Sequence, residues 1–241
     1  MKAMLSARER DMIAAMKPVF AVSILAAAAL LAGCGGKTAP KGNGEASKTA
    51  TQVVADALTA AGAATSVHVA GSGTTGGSPL ALDLFLVADK GGKGSISVSG
   101  LTFDIVRIGD TAYFKGDSAF WEHFGGKAVA QLLKGRWLKA SATSGELASF
   151  TPLTDIAKLF ASILTSSNTL VNQGETDLDG VKTVAILDTK KGGTLYVAAT
   201  GTPYPVALKK KGSGDIAFTS WNEPVTLTAP ADAVDASQLG G

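Results

Sequence analysis

The chain has 241 residues, of which 46% are hydrophobic and 17% charged, with one cysteine and two histidines. A single cysteine excludes an internal disulfide bond and any zinc site built on several cysteines. The formal charge of +2 comes from residues 1–33, which carry four basic and two acidic side chains. The remaining chain is neutral and lacks the concentrated basic surface of a nucleic-acid-binding protein, so we expect no nucleic-acid partner.

Residues 1–33 have the pattern of a secretory signal peptide. Lys17 precedes an uncharged apolar run over residues 19–31, and small residues follow the run. A helix of this length spans about 20 Å, short of the roughly 30 Å hydrocarbon core of a bilayer, so we expect no permanent transmembrane helix. Three methionines are alternative starts of the translated chain: Met1, Met12 and Met16.

The end of this segment reads Leu-Ala-Gly-Cys, with the cysteine at position 34, and resembles the bacterial lipobox. In lipoproteins with this signal, the cysteine thiol receives a diacylglyceryl group and the chain is cleaved just before it. The resemblance implies lipidation at Cys34 and a lipid anchor on the extracytoplasmic face of the cell membrane, since two or more acyl chains hold a protein there stably. The alternative is a free cysteine after an ordinary signal peptide.

Beyond the cysteine, the composition separates a linker from a domain. Residues 34–48 are rich in glycine, lysine and small polar residues and have no apolar period, which predicts a flexible tether. One domain is expected over residues 49–235, followed by a small polar tail at 236–241. Apolar residues at helical spacing predict a helix over residues 47–61, with a serine or threonine as its N-cap.

From residue 66 onward, apolar residues recur with the period of two that is typical of strands. Strands are predicted at 66–71, 80–87, 95–99, 102–108, 111–114, 169–173, 181–188, 194–199, 206–210, 215–220 and 225–228. Between the two sets of strands, short helices are predicted at 118–124 and 127–133, and a longer amphipathic helix at 153–164. This order predicts an α+β fold in which an antiparallel sheet has helices on one face.

The residues that usually carry catalysis are sparse. His68 alternates with two valines in a predicted strand and is expected to face outward, and His123 lies among aromatic residues. Residues 71–76 match the Gly-x-Gly-x-x-Gly spacing, but a strand rather than a helix follows, so a phosphate-binding loop is not expected. We expect neither an enzyme nor a bound metal or cofactor.

Apolar residues of the strands and helices are the remaining candidate site. Ten of them are predicted to meet between the sheet and the helices: Leu82, Leu84, Leu86, Ile96, Val98, Phe103, Ile156, Leu159, Phe160 and Ile163. They either fill a core or line a cavity for acyl chains. The periodicity of the sequence does not distinguish a filled core from a cavity. The one basic run, residues 209–211, is either a solvated strand end or a site of attraction to anionic lipid headgroups.

Several short segments together resemble the LppX/LprA/LprF/LprG family of actinobacterial lipoproteins, which is itself similar to the LolA/LolB carriers. The resemblance covers residues 50–235 and depends on residues 108–116, 120–121, 137–139, 188–196, 202–206 and 218–225. It implies a curved antiparallel half-barrel wrapped over a few helices, with an apolar pocket.

For function, the resemblance implies a membrane-anchored lipoprotein that carries or holds a lipid or lipoglycan at the outer face of the cytoplasmic membrane. Burial of one acyl chain of about 16 carbons, the length of palmitate, offers about 12 kcal/mol before ordering costs. The alternative is a non-catalytic interaction or sensor lipoprotein of the same fold, with a filled core and a protein partner in the cell envelope.

Overall fold

A computed structural model describes residues 41–75, 77–164 and 169–239 of the chain. The predicted signal peptide and the lipidation site at Cys34 lie outside the described residues. The described part contains the α-helices α1 (Ala50–Ala63), α2 (Ser118–Leu132) and α3 (Ile156–Ile163). It also contains 3-10 helices at Glu45–Ser47, Glu146–Thr154 and Ala236–Gln238.

The strands of the described part form one sheet. They are β1 (Ser66–Thr75), β2 (Ser78–Val87), β3 (Gly91–Val98), β4 (Leu101–Ile108), β5 (Thr111–Gly116), β6 (Leu138–Ser141), β7 (Leu170–Leu178), β8 (Val181–Asp188), β9 (Thr194–Ala198), β10 (Pro205–Lys210), β11 (Gly214–Thr219) and β12 (Val234–Asp235). Their order is β12-β6-β5-β4-β3-β2-β1-β11-β10-β9-β8-β7. All pairings are antiparallel except that of β12 with β6. The predicted α+β fold with a single curved sheet is confirmed.

Strand β1 joins the two halves of this sheet. It pairs with β2 on one side and with β11 on the other. At this junction Val69 lies opposite both Leu84 of β2 and Phe218 of β11, and all three side chains are buried. The meander β1–β6 and the meander β7–β11 therefore share one continuous hydrogen-bonded surface.

Alternation along the strands places the core on one face of the sheet. In β2, Leu82, Leu84 and Leu86 are buried, whereas Ala81 and Asp83, which point to the other face, are exposed. Buried residues of α1, α2 and α3 belong to the same apolar cluster as these leucines. The helices therefore cover the apolar face, as the alternation and the helical stripe together predict.

Local signals set the helix boundaries. Thr49 begins α1 with a capping box that also involves Gln52. Gly126 breaks α2, with φ of 75° and ψ of 179°, which agrees with the two short helices predicted there. Helix α3 begins at Ile156, later than predicted, because the Asp155 side chain caps it at that point.

The strand predicted at residues 225–228 does not form. After β11, Ser220 and Asn222 have positive φ angles of 51° and 63°, which turn the chain away from the sheet. Pro224 has no amide hydrogen to donate to a neighbouring strand. The chain returns to the sheet at β12, where Val234 pairs in parallel with Leu138 of β6.

The last residues of the predicted tether are bound to the domain. The Asn43 amide donates to the Ala199 carbonyl at 2.9 Å, and its side chain donates to the Ala198 carbonyl at 2.8 Å. Asn172 of β7 donates to the Lys48 carbonyl at 2.8 Å. Composition gives no sign of this attachment, because the partners of Asn43 lie more than 150 residues away in sequence. All described strand pairings and the described core fall within residues 42–239.

Gly94 in β3 provides a test of how closely the strands approach. Its φ is 150°, and a Cβ there would overlap the Asp83 carbonyl. We expect Gly94→Ala to lower the free energy of unfolding by about 2 kcal/mol or more, since both the backbone strain and the overlap oppose it. Gly62→Ala is the matched control: nothing lies near its added methyl group, so it should stabilise α1 by about 0.5–1 kcal/mol. Urea unfolding measures both free energies. Equal effects of the two substitutions would contradict the close approach of Gly94 to the Asp83 carbonyl.

Candidate functional site

The ten apolar residues predicted to form the site converge in one cluster. Eight of them are buried core residues, and the other two, Val98 and Ile163, pack against that cluster while partly exposed. Their packing fills the middle of the helix-covered face. Unfilled space lies towards the two ends, in cavities that we name the α1–α3 cavity and the α2 cavity. Of the ten residues, Ile163 also lines one of these two cavities; a lipid-binding role for the set stays a prediction.

The α1–α3 cavity lies between these two helices and strands β7–β10 and has a volume of about 200 Å³. Its floor is a row across three paired strands, in which Leu195 lies opposite Ile186 on one side and Leu208 on the other. Val54 of α1 and Ile163 at the end of α3 close it from above. The apolar lining is Val54, Ile163, Leu164, Leu170, Ile186, Leu195 and Leu208.

Charged residues occur at one edge of this cavity. Lys191, in the β8–β9 loop, and Lys210, at the end of β10, line it and are both exposed. Neither lysine forms an ion pair with another described residue. Asp188 also lines this cavity, and its carboxylate accepts hydrogen bonds from the Lys191 amide and the Thr169 hydroxyl, each at 2.9 Å. This edge therefore combines two ammonium groups and one carboxylate, a net positive charge, with an apolar interior, the arrangement that suits an anionic amphiphile.

The α2 cavity is larger, with a volume of about 740 Å³. It lies between α2, the 3-10 helix Glu146–Thr154, β6, β12 and the 3-10 helix Ala236–Gln238. Its apolar lining is Trp121, Phe124, Val129, Leu138, Ala140, Leu147, Ala236 and Leu239. Its polar lining is Asp110, Thr111, Lys139, Ser141, Ser144, Glu146, Asp235 and Ser237.

The charge on the α2 cavity is of the opposite sign. Three carboxylates line it, those of Asp110, Glu146 and Asp235, against the one ammonium group of Lys139. Lys139 lies 3.3 Å from Asp235. Hydrogen bonds from the Ser237 hydroxyl and amide, together with Lys139, hold the pKa of Asp235 below its ordinary value. The rim therefore carries net negative charge at neutral pH.

Sequence reasoning missed the α2 cavity, because it draws on a loop and on the chain end. The predicted tail at 236–241 contributes Ala236 and Leu239, which pack against the core. The motif at residues 120–121 supplies Trp121. The segments at 108–116 and 137–139 supply further lining residues, but all three segments indicated a resemblance rather than a cavity.

Neither histidine lines either of the two cavities. His68 faces the side of β1 opposite to the buried Val67 and Val69, stacks on Phe85 with ring centroids 4.1 Å apart, and has Nε2 2.8 Å from Asp83 Oδ1. These contacts link β1 and β2 on the outer face. His123 is exposed and lies edge-on to its chain neighbour.

Two further searches of the described residues bear on function. No cluster of three or more histidine, cysteine or acidic side chains in the described ranges is arranged to hold a metal ion. None of the described helices combines the length and the apolarity needed to cross a membrane.

Comparison with known proteins gives the fold. No protein-family model matches the chain, and comparison with curated protein sequences gives no significant match. LprF from Mycobacterium bovis superposes with a TM-score of 0.52 at 18% identity, over 75% of this chain and 96% of LprF. The chain has the LprF fold. The lipoprotein LppX from Mycobacterium tuberculosis has a TM-score of 0.44 at 24% identity, over 74% of this chain and 99% of LppX. The resemblance predicted from the short segments is thus confirmed at the level of the fold.

Asp235 provides a test of the α2 cavity rim. Because its pKa is lowered in the folded state, its contribution to stability is present above the unfolded-state pKa and disappears as the pH falls through the lower folded-state value. We expect Asp235→Asn to be less stable than wild type at neutral pH, with the difference shrinking as the pH falls below the unfolded-state pKa and through the lower folded-state pKa. Urea unfolding over a series of acidic pH values measures this. Asp232→Asn, an exposed neighbour with no hydrogen bond to its carboxylate among the described residues, should show no such convergence.

Proposed function

We propose that the protein is a cell-envelope lipoprotein that binds an acyl chain of an anionic lipid in the α1–α3 cavity. The observation that carries this proposal is an apolar cavity between helices and sheet whose exposed edge has two lysines without an ion-pair partner in the described part. The fold shared with LprF supports it. In this role the protein holds or carries the lipid at the outer face of the cytoplasmic membrane.

The size of the cavity determines how much lipid it accepts. Sites that hold a whole small molecule have volumes of about 300–1,000 Å³, whereas this cavity has about 200 Å³. It therefore takes one end of a single acyl chain, and each buried methylene contributes about 0.8 kcal/mol. The headgroup stays at the edge beside Lys191 and Lys210, each of which adds about 1 kcal/mol of attraction to an anionic group.

The predicted lining residues enter this proposal in two ways. Ile163 contacts the chain in the cavity as it stands. Neighbours such as Leu159 and Phe160 are packed in the core, and they would meet a longer chain only if α3 moved away from the sheet. Helix α3 has eight residues, fewer than a helix needs to be stable by itself, so its position depends on packing that a ligand can replace.

Membrane attachment is part of the same proposal. The lipobox-like residues before Cys34 support lipidation there, with two or three acyl chains as the anchor. Holding or carrying a lipid needs no general base or nucleophile. The proposed role is therefore non-catalytic.

The second candidate function is that of an interaction or sensor lipoprotein with a protein partner. The filled middle of the helix-covered face favours it, because eight of the ten predicted lining residues are buried against one another. Such a protein would contain no lipid after purification.

Native mass spectrometry of residues 35–241, which include every described contact of the fold, separates the two candidates. A mass excess that is lost on denaturation and recovered as lipid in a solvent extract supports the first; a bare polypeptide mass, even after incubation with membrane lipids, supports the second.

Filling the cavity should remove the bound lipid. Ile163→Trp places an indole at the end of α3, where the side chain lines the cavity and is already partly exposed. We expect the mass excess to fall below about half of the wild-type value while circular dichroism shows an intact fold. Val171→Trp is the control, since Val171 is 47% exposed and does not line the cavity. An unchanged lipid content in Ile163→Trp would contradict the proposed site.

Removing charge at the edge should weaken binding of anionic ligands. The double variant Lys191→Gln, Lys210→Gln is expected to bind dodecanoate about thirtyfold more weakly, since two contributions of about 1 kcal/mol are lost, with the difference shrinking at high salt. The control makes the same change at Lys190 and Lys211, which are exposed neighbours that do not line the cavity, and should lose less than about twofold. Calorimetric titration measures both, and equal losses would point to general charge rather than to this edge.

A further inference from the structure

The indole of Trp121 is a buried donor whose hydrogen bond is not made within the described residues. Trp121 is 1% exposed, and its Nε1 has no acceptor in that part of the chain. The indole of Trp221, by contrast, donates to the Pro205 carbonyl at 3.1 Å. A buried donor left without a partner costs about 1–3 kcal/mol, and native proteins rarely leave one so. Trp121 lines the α2 cavity, and its Nε1 is covered in this structure, so a turn of the indole towards the cavity would let an occupant supply the acceptor.

The surroundings of Trp121 suit the apolar part of a ligand. Trp121 lies edge-on to Phe120, with ring centroids 4.9 Å apart, and Phe124 contacts Phe120 at a tilt, with centroids 4.8 Å apart. Leu138, Leu147 and other aliphatic residues continue this wall. The volume of about 740 Å³ lies within the range of about 300–1,000 Å³ of sites that hold a whole small molecule.

The rim indicates the charge of the ligand. Lys139, the one ammonium group on it, is already close to Asp235, which leaves the carboxylates of Asp110 and Glu146 without a cation on the rim. Net negative charge opposes an anionic headgroup. Carboxylates accept hydrogen bonds from hydroxyl groups, so a neutral headgroup that carries hydroxyls fits this rim.

We propose that the α2 cavity is a second ligand site, which takes a neutral amphiphile with a hydroxyl-bearing headgroup. The apolar chain lies against the aromatic and aliphatic wall. A carbonyl or hydroxyl oxygen of the ligand accepts the hydrogen bond from Trp121 Nε1. This site differs from the α1–α3 cavity in place and in charge, and it stands whether or not that cavity binds an anionic lipid.

The test compares two tryptophans that undergo the same chemical change. Residues 35–241 are titrated calorimetrically with monodecanoylglycerol below its micelle concentration. Trp121→Phe should bind about five- to tenfold more weakly than wild type, because the ligand loses one hydrogen bond in a buried site. Its stability without ligand should be equal to wild type or higher, since the substitution removes an unpaired donor. Trp221→Phe should lose stability but keep wild-type affinity, because it breaks the bond to Pro205 outside the cavity.

Two further measurements locate the binding. Ser144→Phe, at an exposed position on the rim, should reduce binding of monodecanoylglycerol more than tenfold, whereas Ile163→Trp should leave it unchanged. Decanoate, the anionic probe of equal chain length, should be insensitive to Ser144→Phe. Equal affinities of wild type and Trp121→Phe, absence of binding, or loss in Ile163→Trp instead of Ser144→Phe would each overturn the second site. Equal affinities or absence of binding would leave the proposal for the α1–α3 cavity unaffected. Loss of binding in Ile163→Trp would show that the neutral probe binds in the α1–α3 cavity instead.

Discussion

The pairing of β1 with β11 is the constraint on which the rest of the structure depends. It joins residues near position 70 to residues near position 217 and turns two separate meanders into one sheet. The row from Leu84 through Val69 to Phe218 crosses this junction on the buried face. Since loop closure over this sequence separation is costly in entropy, these side chains have to be well buried for the pairing to hold. Without it, α1 and α3 would have only half of their apolar floor.

The junction also explains where unfilled space occurs. In the middle of the helix-covered face, large side chains such as Leu84, Phe103 and Phe160 are buried in one cluster. The cavities are lined in addition by partly exposed residues such as Ile163 and Phe124. The two cavities lie at opposite ends of one packed layer, one with net positive and the other with net negative charge at its edge. A single sheet therefore carries two cavities of different charge.

Sequence periodicity predicted the strand and helix bounds that depend on residues close together in the sequence. The bounds of β8 and the break of α2 at Gly126 follow from alternation and from a glycine in place. The failure of the strand at 225–228 could not be predicted, because it follows from the positive φ angles of Ser220 and Asn222. The cavities could not be predicted for a similar reason: residues 186, 195 and 208 become neighbours only through strand pairing. Alternation shows which face is apolar, but whether that face is filled depends on side-chain volumes in three dimensions.

The hydrogen bonds of Asn43 attach the end of the predicted tether to the domain. They therefore reduce the length of chain that would connect the domain to a lipid anchor at Cys34. Gly42, which bridges to Thr200, is the eighth residue after Cys34, and eight extended residue steps reach at most about 28 Å. Strand β9 has five residues and is about 17 Å long. Thr200 follows one end of β9, and the lysines of the α1–α3 cavity lie at its other end. With such an anchor, the domain would be able to turn that edge towards the headgroups but would stay at the bilayer surface. A lipid bound there would reach only an acceptor that itself comes to the membrane.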